Sequence, residues 1–250
     1  VTTDVSDIVL ATFLVFCRIG TCLMLVPGYG SSSVPAQVRL FLAAAVSLSL
    51  TPLVLSVLVA KVHGATVAVL TSLIASEVMV GGLIGLMGRV FFLALQTLAT
   101  ASAMAIGLGS MPGTQIDEAG PLPALAPLVV TTATALFFMT DQHWEVLQGL
   151  AASYRVWDPS QGIDAQTALT QLADRLSEAF VLALRISGPF MIYGVVVNFA
   201  VGLANKLVPS IPIYFISVPF VLFGGLLLLY VTISEYLLQF MHGLAAWLGE

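Results

Sequence analysis

Uncharged apolar stretches separated by single charges set the pattern of this chain. No Asp, Glu, Lys or Arg occurs between Arg39 and Lys61, between Arg89 and Asp117, between Arg185 and Lys206, or between Lys206 and Glu235. Each gap reaches or exceeds the roughly 20 apolar residues that a helix needs to cross a hydrocarbon core. These runs predict helices at about 8–26, 37–60, 65–87, 89–107, 123–140, 165–201 and 211–248. The expected fold class is all-α, a membrane-protein-like set of bent helices and helical hairpins. Pro27-Gly28-Tyr29-Gly30 marks a turn after the first helix. Pro35 suits the start of the second, where its missing N–H removes no bond. Pro52 is expected to kink that helix or end it early. Gly81, Gly85 and nearby Gly88 have small-xxx-small spacing for close helix contact, although glycines are also ordinary in membrane helices.

Two segments depart from the apolar pattern. Gly107 to Pro123, reading GLGSMPGTQIDEAGPLP, is too rich in Gly and Pro for regular helix and predicts a loop held between apolar helices. Asp141 to Glu178 holds eight of the 21 charged residues. Within it, Trp157 to Gly162 predicts a turn. Asp164 follows as a cap for a helix that starts amphipathic and becomes wholly apolar after Ala179. At the C-terminal end, Asn205 to Pro212 predicts a tight turn between two long apolar arms, which makes a helical hairpin.

Composition narrows the function classes. Only 8% of residues are charged and 59% are hydrophobic, and the mean hydropathy is +1.04. A soluble domain typically carries about 25% charge, so the protein belongs in a membrane or a membrane-embedded assembly. The net charge of −5, without any Lys/Arg cluster, excludes a nucleic-acid partner. Cys17 and Cys22 lie five apart on one helix and point to different faces, so free thiols are expected. The first apolar run follows Asp4 and Asp7 and contains Arg18, which reads as a retained segment and not a signal peptide. No catalytic constellation stands out. His63, His143 and His242 have no metal-ligand spacing, and no phosphate-binding or hydrolase motif occurs. The expectation is a non-enzyme without cofactor or metal.

The informative polar residues lie within or beside the apolar runs: Arg18, Glu77, Arg89, Arg185, Asn198 and Lys206. A charge at the bilayer centre costs about 2.5–3.5 kcal/mol even on the lower scale. Such groups either face a partner, an ion pair or water, or sit at helix ends and reach the interface. Glu77 paired with an Arg is one hypothesis, and the sequence does not choose the partner.

The ordered set of these features resembles a known family. Arg18, Pro27 with Gly28-Tyr29-Gly30, Pro35, Arg39 and the run to Thr51-Pro52 are similar to the opening of FliR proteins. These are components of the flagellar type III export gate, called SctT in virulence injectisomes. Phe137 to Trp144, continuing through Leu150 and Ser153-Tyr154, resembles the family's segment after its central loop. Phe180 to Pro189, Asn198, Gly202-Leu203, Lys206, Pro209 and Ile213-Tyr214-Phe215 resemble its C-terminal hairpin. The chain departs from many relatives at Gln142-His143, where they carry Gly-His, and at Pro112 to Glu118, where they carry Asp-Pro.

The resemblance implies a FliP-like helical part over 1–178 and a FliQ-like hairpin over 179–250. It implies partners as well: about five FliP-like and about four FliQ-like subunits per copy of this chain, an FlhB-like switch protein, an FlhA-like export protein, unfolded protein cargo and membrane lipid. It places the protein in the bacterial inner membrane, at the flagellar basal body. It also implies that the central loop plugs the pore, which falls on Gly107, Leu108, Gly109, Ser110, Met111, Pro112, Gly113 and Ile116. Arg18, Glu77 and Arg185 are then expected to hold the assembly together. The alternative is a small-molecule transporter, since broken helices and intramembrane charges also occur there.

Overall fold

The computed structural model describes residues 4–31, 34–108, 123–156 and 165–248. Every regular element among them is a helix: α1 (Val5–Leu25), α2 (Ala36–Val62), α3 (Val67–Ala105), α4 (Leu125–Met139), α5 (Gln142–Val156), α6 (Ala165–Leu207) and α7 (Ile213–Leu248). Five of the helices are long and apolar enough to cross a membrane: α1, α2, α3, and the spans Ala168–Leu207 of α6 and Phe215–Trp247 of α7.

Three sequence expectations change. The predicted helices 65–87 and 89–107 are one helix, α3. Gly81, Gly82, Gly85 and Arg89 lie inside it, and the isolated glycines cost helix propensity without breaking the ladder. Pro52 does not end α2, which continues to Val62. Pro52 is exposed, and next to it the Thr51 and Ser47 hydroxyls donate to the carbonyls of Ser47 and Ala43 at 2.7 and 2.5 Å. Last, α5 is a helix in the charged segment between the helices predicted at 123–140 and 165–201, where the sequence predicted none. Its polar residues Glu145, Gln148 and Arg155 are exposed, while Val146, Leu150 and Tyr154 are buried at a spacing of four. The turn expected at 157–162 and the Asp164 cap lie outside the described residues, as do loop positions 109–122.

The chain divides into two compact units that interleave along the sequence. The first holds residues up to Val90 and His143–Leu176, and the second holds Phe91–Gln142 and Ser177 onward. In the first unit, α1 buries Asp7, Ala11, Leu14, Val15, Arg18, Ile19, Cys22 and Leu23, a helical stripe with a period near 3.6. That stripe meets Ala43, Val54, Leu58, Val59 and Val62 of α2, Leu73 of α3 and Tyr154 of α5. The opposite face of α1 leaves Val9, Phe13 and Met24 exposed. Both cysteines are free, Cys22 buried and Cys17 half-buried.

In the second unit the core is aromatic. Phe92 meets Phe137 of α4 and Phe240 of α7 edge-on, with ring centroids 6.2 and 5.3 Å apart. Phe91 packs on Trp247 at 5.0 Å and Phe190 on Tyr236 at 6.0 Å. The Gln142 side chain donates to the carbonyl of Met241 at 3.0 Å. In lipid, apolar side chains gain little by leaving the solvent, so close packing and polar contacts hold such helices together. Much of α7 remains uncovered: Phe215, Phe220, Phe223, Tyr230 and Val231 are all more than two-thirds exposed.

Candidate functional site

Among the described residues, the densest polar cluster lies inside the first unit. Arg18 of α1 and Glu77 of α3 are both fully enclosed, and the Arg18 Nε donates to Glu77 Oε2 at 2.5 Å. α5 closes the cluster. Its Ser153 accepts a bond from Arg18 Nη1 at 2.8 Å and donates its own to the Leu150 carbonyl at 2.7 Å. Its Tyr154 donates to Glu77 Oε2 at 3.3 Å. The Tyr154 ring also lies under the guanidinium, with Arg18 Cζ 3.7 Å from the ring centroid. Burial first, and then the Glu77 carboxylate, push the Tyr154 phenol up, so it keeps its proton and acts as a donor.

The backbone permits this meeting because of two glycines. A Cβ on Gly81, one turn after Glu77, would collide with the Arg18 carbonyl. A Cβ on Gly85 would stand 2.7 Å from the Cys22 carbonyl oxygen and 2.8 Å from Leu25 Cβ. α3 therefore approaches the α1 backbone along the Gly81–Gly85 face, which is the close contact their spacing predicts. That approach brings the Glu77 carboxylate within reach of Arg18.

Enclosed on all sides, the pair offers no face to a substrate. It neutralises two charges that would otherwise be costly in an apolar setting, and it ties α1, α3 and α5 together. Arg18 is thus the partner that the sequence did not choose for Glu77. The structure does not bring the other polar candidates to this cluster. Arg89 is half-buried within α3. Arg185 and Lys206 are exposed on α6, and Asn198 donates to the Gly194 carbonyl of its own helix at 2.8 Å. Of the loop candidates, Gly107 and Leu108 are described and follow α3 after Ile106, while Gly109, Ser110, Met111, Pro112, Gly113 and Ile116 lie outside the described residues.

Two further polar arrangements join residues far apart in sequence. His63 Nδ1 lies 2.7 Å from Asp7 Oδ2, linking the end of α2 to the first turn of α1. The hydrogen bond to Asp7, followed by its charge, raises the His63 imidazole above its ordinary value. Ligand atoms of Asp4, Asp7 and His63 all lie within 4.8 Å of one another, so these are the described residues that could hold a cation. Arg39 donates from Nε to the Tyr29 carbonyl and from Nη2 to the Ser31 carbonyl, each at 2.8 Å, and so holds the turn after α1. In the second unit, an open apolar groove of 360 Å³ lies between the arms of the hairpin, lined by Tyr193, Val197, Val201, Ile216, Phe220 and Val221 among others. Apart from Tyr193 and Ser217 its described lining is apolar.

A model of the family described as bacterial export proteins, family 1, matches residues 9–246. The flagellar biosynthetic protein FliR of Caulobacter vibrioides is 28% identical over 221 residues, covering 88% of this chain and 87% of that protein. The flagellar biosynthetic protein FliR of Aquifex aeolicus is 22% identical over 228 residues, covering 91% of this chain and 87% of that one.

Proposed function

The chain belongs to family 1 of the bacterial export proteins, and on that premise we propose that it forms part of the pore through which unfolded export substrates cross the bacterial inner membrane. It is a multi-pass membrane component of the flagellar export apparatus. In the reading advanced here it is a non-enzymatic subunit. The observation that carries this reading is the family match, which runs through nearly the whole chain, combined with five spanning-length helices that are mostly uncovered. On α7 only 6% of the spanning window is buried, so the hairpin needs lipid or apolar protein around it.

In this reading residues 1–178 are a FliP-like part and 179–250 a FliQ-like hairpin, in an assembly with FliP-like and FliQ-like subunits served by FlhB-like and FlhA-like proteins. In it, the Gly107–Pro123 loop is the seal of the pore. Arg18 and Glu77 are bonded to each other and enclosed, which supports a structural role for the pair over a place in a transport relay. Gentle solubilisation and purification of the tagged chain tests the reading. It should be recovered in a heteromeric particle of fixed composition. Recovery alone, with saturable binding of a small solute, would replace it with the transporter reading.

A further inference from the structure

Inside the α6–α7 hairpin, in the second unit, two buried hydroxyls face each other. Ser187 of α6 is fully enclosed and Tyr236 of α7 is 4% exposed. The Tyr236 hydroxyl is directed at Ser187, yet neither oxygen makes a well-formed hydrogen bond to any group among the described residues. The arms are closely packed on both sides of this point. Toward one end, a Cβ on Gly243 of α7 would collide with the Leu182 side chain of α6. Toward the other, the Phe190 ring meets the Tyr236 ring at 6.0 Å, and farther on the Tyr193 hydroxyl donates to the Val221 carbonyl at 2.8 Å. The serine departs from the habit of its kind in this chain. Buried Ser47, Thr51 and Ser102 donate to the carbonyl four residues back in their own helices, at 2.5, 2.7 and 2.8 Å. Ser187 makes no such bond. Two residues on, Pro189 has no N–H to give the Arg185 carbonyl. Such breaks in apolar helices are where serine side chains and ordered waters complete the bonding. Gly188, beside Ser187, leaves room, since a Cβ there would meet nothing within 4 Å.

We propose that Ser187 and Tyr236 hold one buried water molecule, a hydration site that bonds the two arms of the hairpin. Each hydroxyl can give one proton and accept another, so a water between them donates to one and accepts from the other. A buried hydroxyl left without a partner is costly, and ordered water is the usual remedy where the walls are otherwise apolar. Here the buried neighbours on α6 and α7 are Ala183, Ile186, Phe190 and Phe240. No charged side chain is buried in the second unit among the described residues, so the site offers an ion no counter-charge and suits a small neutral ligand that both donates and accepts. Apolar packing alone does little to fix one helix against another in lipid, and polar contacts between helices set their register. The water bridge would fix the arms at Ser187, as the Tyr193–Val221 bond fixes them nearer the hairpin turn.

The test uses the purified complex that contains this chain. A density map fine enough to show ordered water should place a peak about 2.7–2.8 Å from both Ser187 Oγ and Tyr236 Oη. A map with the two hydroxyls bonded directly to each other and no such peak overturns the site. The second readout is X-ray radiolysis, which makes hydroxyl radicals from bound water in place and labels the side chains touching it. Tyr236 should be labelled several-fold faster than Phe137, which is equally enclosed in the same unit. Equal rates overturn the proposal. Neither measurement depends on a variant that assembles. Ser187→Ala removes one of the two holders and should bring Tyr236 labelling down to the Phe137 rate, whereas Ser187→Thr, which keeps the hydroxyl, should preserve it. Undiminished labelling in assembled Ser187→Ala particles also overturns the assignment, because the water would then have another holder.

Discussion

Replacing Arg18 by Met removes one half of a fully enclosed ion pair and leaves the Glu77 carboxylate with a single bond, the one from Tyr154 at 3.3 Å. Breaking a buried pair from one side typically costs about 3–5 kcal/mol, which is roughly 10²–10⁴-fold in the folded-to-unfolded ratio. Glu77→Leu should be as severe, because the guanidinium then keeps only Ser153 and the Tyr154 ring. The double variant should recover most of the loss, since an apolar pair of similar volume carries no charge to strand. What remains is the buried Tyr154 hydroxyl without its acceptor, about 1–3 kcal/mol, and adding Tyr154→Phe should remove most of that. Ser153 keeps its bond to the Leu150 carbonyl throughout. The assay is trypsin resistance of the purified complex in mild detergent under increasing denaturant, scored for the α1–α3–α5 fragment. Single variants with unchanged resistance, or a double variant as weak as the two losses added together, would refute the claim that the pair acts as one unit.

Other outcomes follow from the same geometry. Gly85→Ala should destabilise the first unit despite better helix propensity, because its Cβ meets the Cys22 carbonyl at 2.7 Å; overpacking of this kind costs about 1–3 kcal/mol. Gly149→Ala, with nothing within 4 Å, should gain roughly 0.5–1 kcal/mol in the same denaturant series. The His63 imidazole titrates higher in the folded protein than in the unfolded chain, so its bond to Asp7 contributes fully below about pH 6.5. That contribution is lost as pH rises through the raised folded value. Melting of the unaltered protein against His63→Ala should converge at high pH and separate at low pH, and a constant gap would contradict the assignment. Photo-crosslinkers at the exposed Val195 and Leu227 should capture a small hairpin subunit, and capture of lipid alone would exclude that neighbour.

The apolar runs made most of the helices legible, because spanning-length stretches without charge have few other solutions. The sequence pattern divides α3 at Gly88, within the same run whose Gly81 and Gly85 make the close contact with Arg18, Cys22 and Leu25. A helix-breaking glycine and a contact-making glycine look alike in one dimension. α5 escaped notice because its few buried positions are set among charges, and its burial depends on α1 and α3. Arg18 and Glu77 stood out singly as charges in apolar helices. Their pairing across 59 residues, and the part of Ser153 and Tyr154 in it, needed the fold. The same is true of the Asp7–His63 contact and of the close approach of Gly194 and Gly225 to Ala105 and Ile106, where the signal is a distance and not a residue type.

The central claim is that this chain lines the route of the exported polypeptide. Its most direct test is photo-crosslinking from Met111 and Ile116 while an export substrate is stalled midway by a folded C-terminal fusion. The account predicts covalent capture of the stalled substrate from both positions, absent when the substrate lacks its export signal. Capture from the other gate subunits in the same particles, with none from Met111 or Ile116, would contradict it.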